Sequence, residues 1–200
     1  MDNKPAVDDQ SPWYSIKLFS PRLAAVRDWA AENGLEHFVP MEYADILDHD
    51  NHRRRVLRPV VSNLLFVKKT MTEQAFRALV SHSPYPMSVF RKDKDSREYY
   101  EISAREMREF QIMCNPEIEL RKYISPEEAE LKAGTPVLVK YGPLKGLSGK
   151  LVRSNKKYFL MKDVPGMAVM LKVARWCCVP VLDTKWIFFA KFFAIANDFH

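Results

Sequence analysis

The sequence predicts an α+β protein in which a sheet carries helices on one face and a smaller all-β unit follows. Three observations predict it. Between Trp13 and Phe90 the chain reads strand, helix, strand, strand, helix, strand, an order that suits a layered sandwich. From Lys132 to Pro180 it carries a glycine-punctuated hairpin and two further apolar runs, Lys157–Met161 and Ala168–Val173. A hydrophobic share of 47% and an aromatic share of 12% supply the apolar surface that a disordered chain lacks. At 200 residues there is room for one large domain or two small ones.

The elements follow in order. Residues 1–11 are a polar lead expected to be disordered. Trp13–Phe19 is a strand rich in aromatic and aliphatic side chains. Ser20 and Pro21 suit the N-cap and first position of a helix running to about Asn33, with Leu23, Val26, Trp29 and Ala30 on its apolar face. Asn33-Gly34 ends it. Leu35–Pro40 reads as a second strand, and Asp45–His52 as a polar loop.

A basic cluster, Arg53–Arg58, then feeds Pro59–Val67, which reads as a strand buried on both faces. Thr72 suits the cap of a helix to about Ser81, with Phe76, Leu79 and Val80 inward. Two prolines, Pro84 and Pro86, force an extended turn before the strand Met87–Phe90. Ser103 opens a third helix to about Cys114, carrying Met107, Phe110 and Ile112. The acidic, proline-containing stretch after Cys114 reads as an interdomain linker.

The most distinctive stretch is Gly134–Arg153. Val137 and Val139 alternate in a first strand, Tyr141–Gly146 is a turn with glycines around a proline, and Ser148–Arg153 opens a second strand. Between Lys132 and Lys157 lie seven Lys or Arg and no acid. Gly142, Gly146 and Gly149 suit turn geometry rather than a phosphate loop, because no Walker-type Lys-Ser pair follows them.

Charge and composition exclude several classes. A formal charge of +6 points to a polyanionic neighbour. Three cysteines, two of them adjacent, make no disulfide framework and suit a reducing compartment. Met1–Gln10 has no apolar signal core, so a cytoplasmic location is expected. The longest apolar run, Trp186–Ala196, is interrupted by Lys191 and is shorter than the ~20 residues of a membrane helix. His49 and His52 have no cysteine or third histidine nearby, so no metal is expected. No nucleophile-and-base arrangement and no cofactor motif is legible, and a non-enzymatic protein is expected. A cysteine-nucleophile enzyme is the most distant alternative.

Gly134–Arg153, with its spaced hydrophobics, G-P-x-K-G and a following glycine, closely resembles a KOW motif, the hairpin of small SH3-like barrels in transcription elongation factors and some ribosomal proteins. The order of Trp13-Tyr14, His37–Pro40, Arg53–Val56 and Leu64–Val67 is similar to the NGN domain of NusG-type elongation factors. Val61–Val67 stands where that family has F-P-x-Y-x-F-V, and Leu79, Val80, Pro84 and Met87 match its phrase L-V-x-x-x-P-x-x-M. Ser62 and Leu64 depart from the family's usual proline and aromatic residue. Within the family, Pro59–Val67 and Asp163–Val181 resemble the UpxY-type antiterminators of Bacteroides capsular polysaccharide operons. The resemblance implies an NGN-type α/β sandwich with an antiparallel sheet at 12–114, a linker at 115–131, an SH3-like KOW barrel at 132–181 and an apolar tail at 182–200.

It also implies an elongation and antitermination factor that binds RNA polymerase and suppresses pausing. Phe38, Val61, Leu64, Phe66 and Phe90 take the places of the apolar polymerase-binding anchors. Arg53, Arg54, Arg55 and Arg58, with Lys140, Lys145, Lys150 and Arg153, are candidates for contact with non-template DNA, nascent RNA or a partner such as the ribosome or another regulator. Each has a plainer reading, as core for the apolar set and as solvated surface for the cations. The alternatives are a general NusG-type factor coupling polymerase to ribosome or termination factor, and a KOW-type ribosomal RNA-binding protein. The tail is expected to pack back on the protein, closing the barrel or covering the depression on the sandwich.

Overall fold

The computed structural model describes residues 10–47, 49–118 and 120–181. Residues 1–9 of the N-terminal lead and the apolar tail of 182–200 lie outside the described residues.

The first sheet is antiparallel and centred on β1 (Trp13–Leu18), which runs between β5 (Leu64–Lys68) and β6 (Met87–Val89). The short β2 (His37–Phe38) pairs with β5 on the outer side, giving the order β2-β5-β1-β6. Tyr14, Ile16, Leu65 and Val67 point to one face, under α1 (Leu23–Glu32) and α2 (Glu73–Ser81). Trp13, Leu64 and Phe66 point to the other, against α3 (Ala104–Met113). Helices therefore cover both faces rather than the single face expected. The reason lies in β1 and β5: four consecutive residues of each are buried, so each face needs its own cover.

The helix caps follow sequence chemistry with one exception. Thr72 Oγ1 accepts from the Ala75 amide at 3.3 Å. Ser103 and Glu106 form a reciprocal capping box at the start of α3. Ser20 does not cap α1: the helix begins at Leu23 behind Arg22, and the buried Ser20 hydroxyl has no hydrogen-bond partner. On α3, Met107, Phe110 and Met113 are buried, whereas Ile112 faces outward.

Of the segment expected as a loop, Asp45–Leu47 belong to a strand, and residues 49–52 form the turn after it. β3 (Met41–Leu47) pairs with β4 (Arg53–Pro59) from Met41↔Pro59 to Leu47↔Arg53, leaving a short turn between them. This hairpin forms a sheet of its own with no fully buried residue, so no alternation of apolar and polar positions marked it. Pro59 ends β4, and the long strand expected from Pro59 begins only at Leu64.

The second sheet is antiparallel, in the order β12-β8-β9-β10-β11-β7. Its members are β7 (Arg121–Ile124), β8 (Thr135–Val139), β9 (Ser148–Ser154), β10 (Lys157–Val164), β11 (Met167–Lys172) and β12 (Cys178–Pro180). The expected linker is thus partly structured: β7 joins this sheet through β11, and α4 (Pro126–Glu130) packs Ala129 onto it. Its acids misled because Glu127 and Glu128 occupy the first turn of α4, where negative charge is favourable. One face of β10 and β11, with Leu160, Val164, Val169 and Leu171, is continuous with the core under the first sheet. The two units share that core.

Candidate functional site

The five apolar candidates converge on the second face of the first sheet. Leu64 and Phe66 share this face by strand alternation, and the pairing Phe38↔Phe66 sets β2 beside them. Phe38, Phe66 and Phe110 form an aromatic group with centroids 5.3 to 6.4 Å apart. Val61 and Phe90 are half-buried at its margin, and the Phe90 amide donates to the Ser15 carbonyl at 3.0 Å. Leu64 is 3% exposed and Phe66 is fully buried.

Phe66 packs under Phe110 of α3, whereas Leu64 and Phe90 are covered by the barrel. Pro165 and Gly166 form the tight turn between β10 and β11, and Gly166 has φ +101°. A Cβ on Gly166 would lie 2.7 Å from Leu64 Cδ1 and 3.3 Å from the Phe90 ring. The turn therefore seats directly on the apolar patch, and only glycine approaches this closely. The Ser15 hydroxyl, on the same face of β1, donates to the Pro165 carbonyl at 2.7 Å.

A polar cluster pins the same junction. Glu109 on α3 is buried and accepts from Lys162 Nζ of β10 and from Ser148 Oγ of β9, the latter at 2.7 Å. Arg105 Nε donates to its other oxygen at 3.3 Å. Burial pushes the Glu109 carboxyl up, but the bonds from Lys162 and Ser148 outweigh burial and hold it below the usual carboxylate value. Sequence reasoning missed Ser15, Glu109, Ser148 and Lys162. The available signals were a serine between Trp13 and Ile16 in an apolar strand, and a glutamate beside the apolar stripe of α3.

The basic candidates fall into separate places. Arg53 and Arg55 lie on one face of the β3–β4 hairpin and Arg54 and Arg58 on the other, all exposed. Arg58 pairs with Glu42 at 3.1 Å, and the Arg55 guanidinium lies 4.2 Å from the Tyr43 ring centroid. The Tyr43 hydroxyl donates to Glu117 at 2.8 Å, tying the hairpin to the segment after α3. On the barrel, Lys140, Lys145 and Arg153 are exposed, whereas Lys150 pairs with Asp163 at 3.2 Å on another face. Among the described residues no cluster of His, Cys, Asp or Glu has the arrangement of a metal site. Burial pushes the Cys114 thiol up to about 12, away from nucleophilic reactivity. No described helix is long and apolar enough to cross a membrane.

An antiparallel sheet between helices, followed by a six-stranded antiparallel sheet that shares its core, is an α/β sandwich joined to a β-rich region. The family model described as transcription termination factor NusG matches residues 11–111, and the chain belongs to the NusG family. Proteins of this family are non-enzymatic transcription factors that bind RNA polymerase. No curated protein matches the chain.

Proposed function

We propose that this protein is a transcription elongation and antitermination factor that docks on RNA polymerase through Phe38, Val61, Leu64, Phe66 and Phe90. The observation that carries the reading is the convergence of these five on one apolar face, on which the Pro165–Gly166 turn lies. Such a face supplies the few desolvated anchors that a stable docking site needs. In the closed arrangement the Pro165–Gly166 turn occupies it, so polymerase and barrel compete for the same surface. Binding then selects the open arrangement, and the factor favours the active polymerase over the paused one by binding energy alone. The arginines of the β3–β4 hairpin face non-template DNA, and the cations of the barrel face RNA or a protein partner. The likeness of Pro59–Val67 and Asp163–Val181 to UpxY-type antiterminators directs the activity to polysaccharide operons.

The match over residues 11–111 weighs against a ribosomal structural role, which has no use for that domain. The test is retention of purified RNA polymerase on the immobilised full-length protein, with pause lifetimes measured in single-round transcription. The wild type and a Lys162→Met variant, in which the cover is loosened, are run together. No retention and unchanged pausing in both would sink the reading, because closure cannot then explain the failure.

A further inference from the structure

Away from the junction, two large aromatic rings stand in water. Trp176 is 75% exposed and Tyr141 is 60% exposed, although rings of this size are ordinarily packed or engaged. They come from separate parts of the barrel. Tyr141 opens the β8–β9 turn, and Trp176 is the middle residue of the 3-10 turn Arg175–Cys177. The Lys140 amide donates to the Cys177 carbonyl at 2.8 Å and draws the two segments together. The rings stack, with centroids 6.3 Å apart and planes 29° apart.

Cations flank this pair. Lys140, Lys145 and Arg175 are exposed, and none forms an ion pair among the described residues. Arg175 continues the surface to a second ring: its guanidinium and that of Arg153 lie 5.9 and 5.8 Å from the Tyr158 centroid. A cavity of about 620 Å³ opens there, with Thr135 and Cys178 in its wall.

Open aromatic faces beside unpaired cations fit a strand whose bases are unstacked: bases lie on the rings and phosphates meet the cations, with little dependence on sequence. A duplex has no free base face to offer. We infer that this end of the barrel binds single-stranded RNA, with a base stacked on the Trp176–Tyr141 pair and phosphates held by Lys140, Lys145 and Arg175. The choice of RNA rests on the elongation-factor reading, in which the transcript is the strand nearest the barrel and the arginine hairpin takes the DNA. The rings are exposed in the closed arrangement, so this binding needs no opening of the junction.

The test is fluorescence anisotropy of a labelled short single-stranded RNA of mixed sequence, titrated with the full-length protein in the absence of polymerase. Trp176→Ala is expected to weaken binding by about 5-fold to 150-fold, the range for losing one base–aromatic stack. Trp176→Phe is expected to keep most of the affinity, and Lys140→Glu with Lys145→Glu to lose it together with part of the salt dependence. Absence of RNA binding, an affinity indifferent to Trp176→Ala, or tighter binding of the same-sequence DNA overturns the inference. Polymerase retention is measured in parallel. Wild-type protein that retains polymerase but binds no RNA refutes the platform alone; RNA bound by a protein that retains no polymerase, wild type or Lys162→Met, refutes the elongation reading instead.

Discussion

Replacing Lys162 by Met isolates the contribution of the junction. The substitution keeps an unbranched chain of similar length on β10 and removes the charge that faces Glu109. In the closed arrangement Glu109 is then a buried carboxylate left with Ser148 and with Arg105, whose own side chain is 71% exposed and therefore a weak partner. Removing one member of a buried pair costs about 3–5 kcal/mol. The remaining Ser148 bond places this case near the lower end. On the docking reading proposed above, the open arrangement puts Glu109 in water and removes the penalty, so the change acts on closure. A loss of about 3 kcal/mol shifts the closed-to-open ratio roughly 150-fold. Since apparent affinity scales with the competent fraction, polymerase binding should tighten by up to that factor, with an increased radius of gyration in small-angle scattering. Replacing both partners, Glu109→Leu with Lys162→Met, should restore closure, because a well-packed apolar pair substitutes for a buried ionic one. If Lys162→Met changes neither compactness nor polymerase affinity while the protein stays folded, the latch argument is wrong.

Gly166→Val should open the same junction by a different route, since its side chain would collide with Leu64 at a backbone angle that favours glycine; scattering and polymerase affinity should move in the direction set by Lys162→Met. Closure should also depend on acidity. The Glu109 pKa is lowered in the closed state, so its contribution is complete above the usual carboxylate value and is lost as pH falls through the lowered one; scattering across an acid titration should show opening only at the acid end, and opening on raising the pH would contradict the sign. Ser103→Ala should cost about 1 kcal/mol by removing the capping box of α3, read as a lower urea midpoint. Arg53→Ser with Arg55→Ser should weaken binding to bubble DNA and flatten its salt dependence, leaving RNA affinity untouched; an equal loss on both ligands would merge the two proposed surfaces.

Strands and helices with a strong apolar period or a clear cap were legible from the residues alone. Leu64–Val67, Phe76 on α2, Met107 and Phe110 on α3, and Val137 and Val139 in the barrel hairpin all sit where patterning places them. Gly142 and Gly146 have the positive φ that their turn positions implied. The apolar candidates came from the family resemblance, and the pairing that sets Phe38 beside Phe66 is supplied by the fold.

Tertiary structure decided what local pattern does not encode. Whether Leu64 faces water or core depends on a turn of the barrel about a hundred residues away, and no periodicity in β5 records that turn. The exposed β3–β4 hairpin stayed invisible because its pairing rests on backbone bonds and cross-strand charge, as at Asp45↔Arg55, rather than on a buried face. Glu109 and Lys162 each look like surface residues in their own segments. Only docking of α3 against β10 takes them both out of water, where a lone charge is costly and a hydrogen-bonded pair is tolerated. Trp176 and Tyr141 likewise acquire meaning only when the two turns that carry them meet.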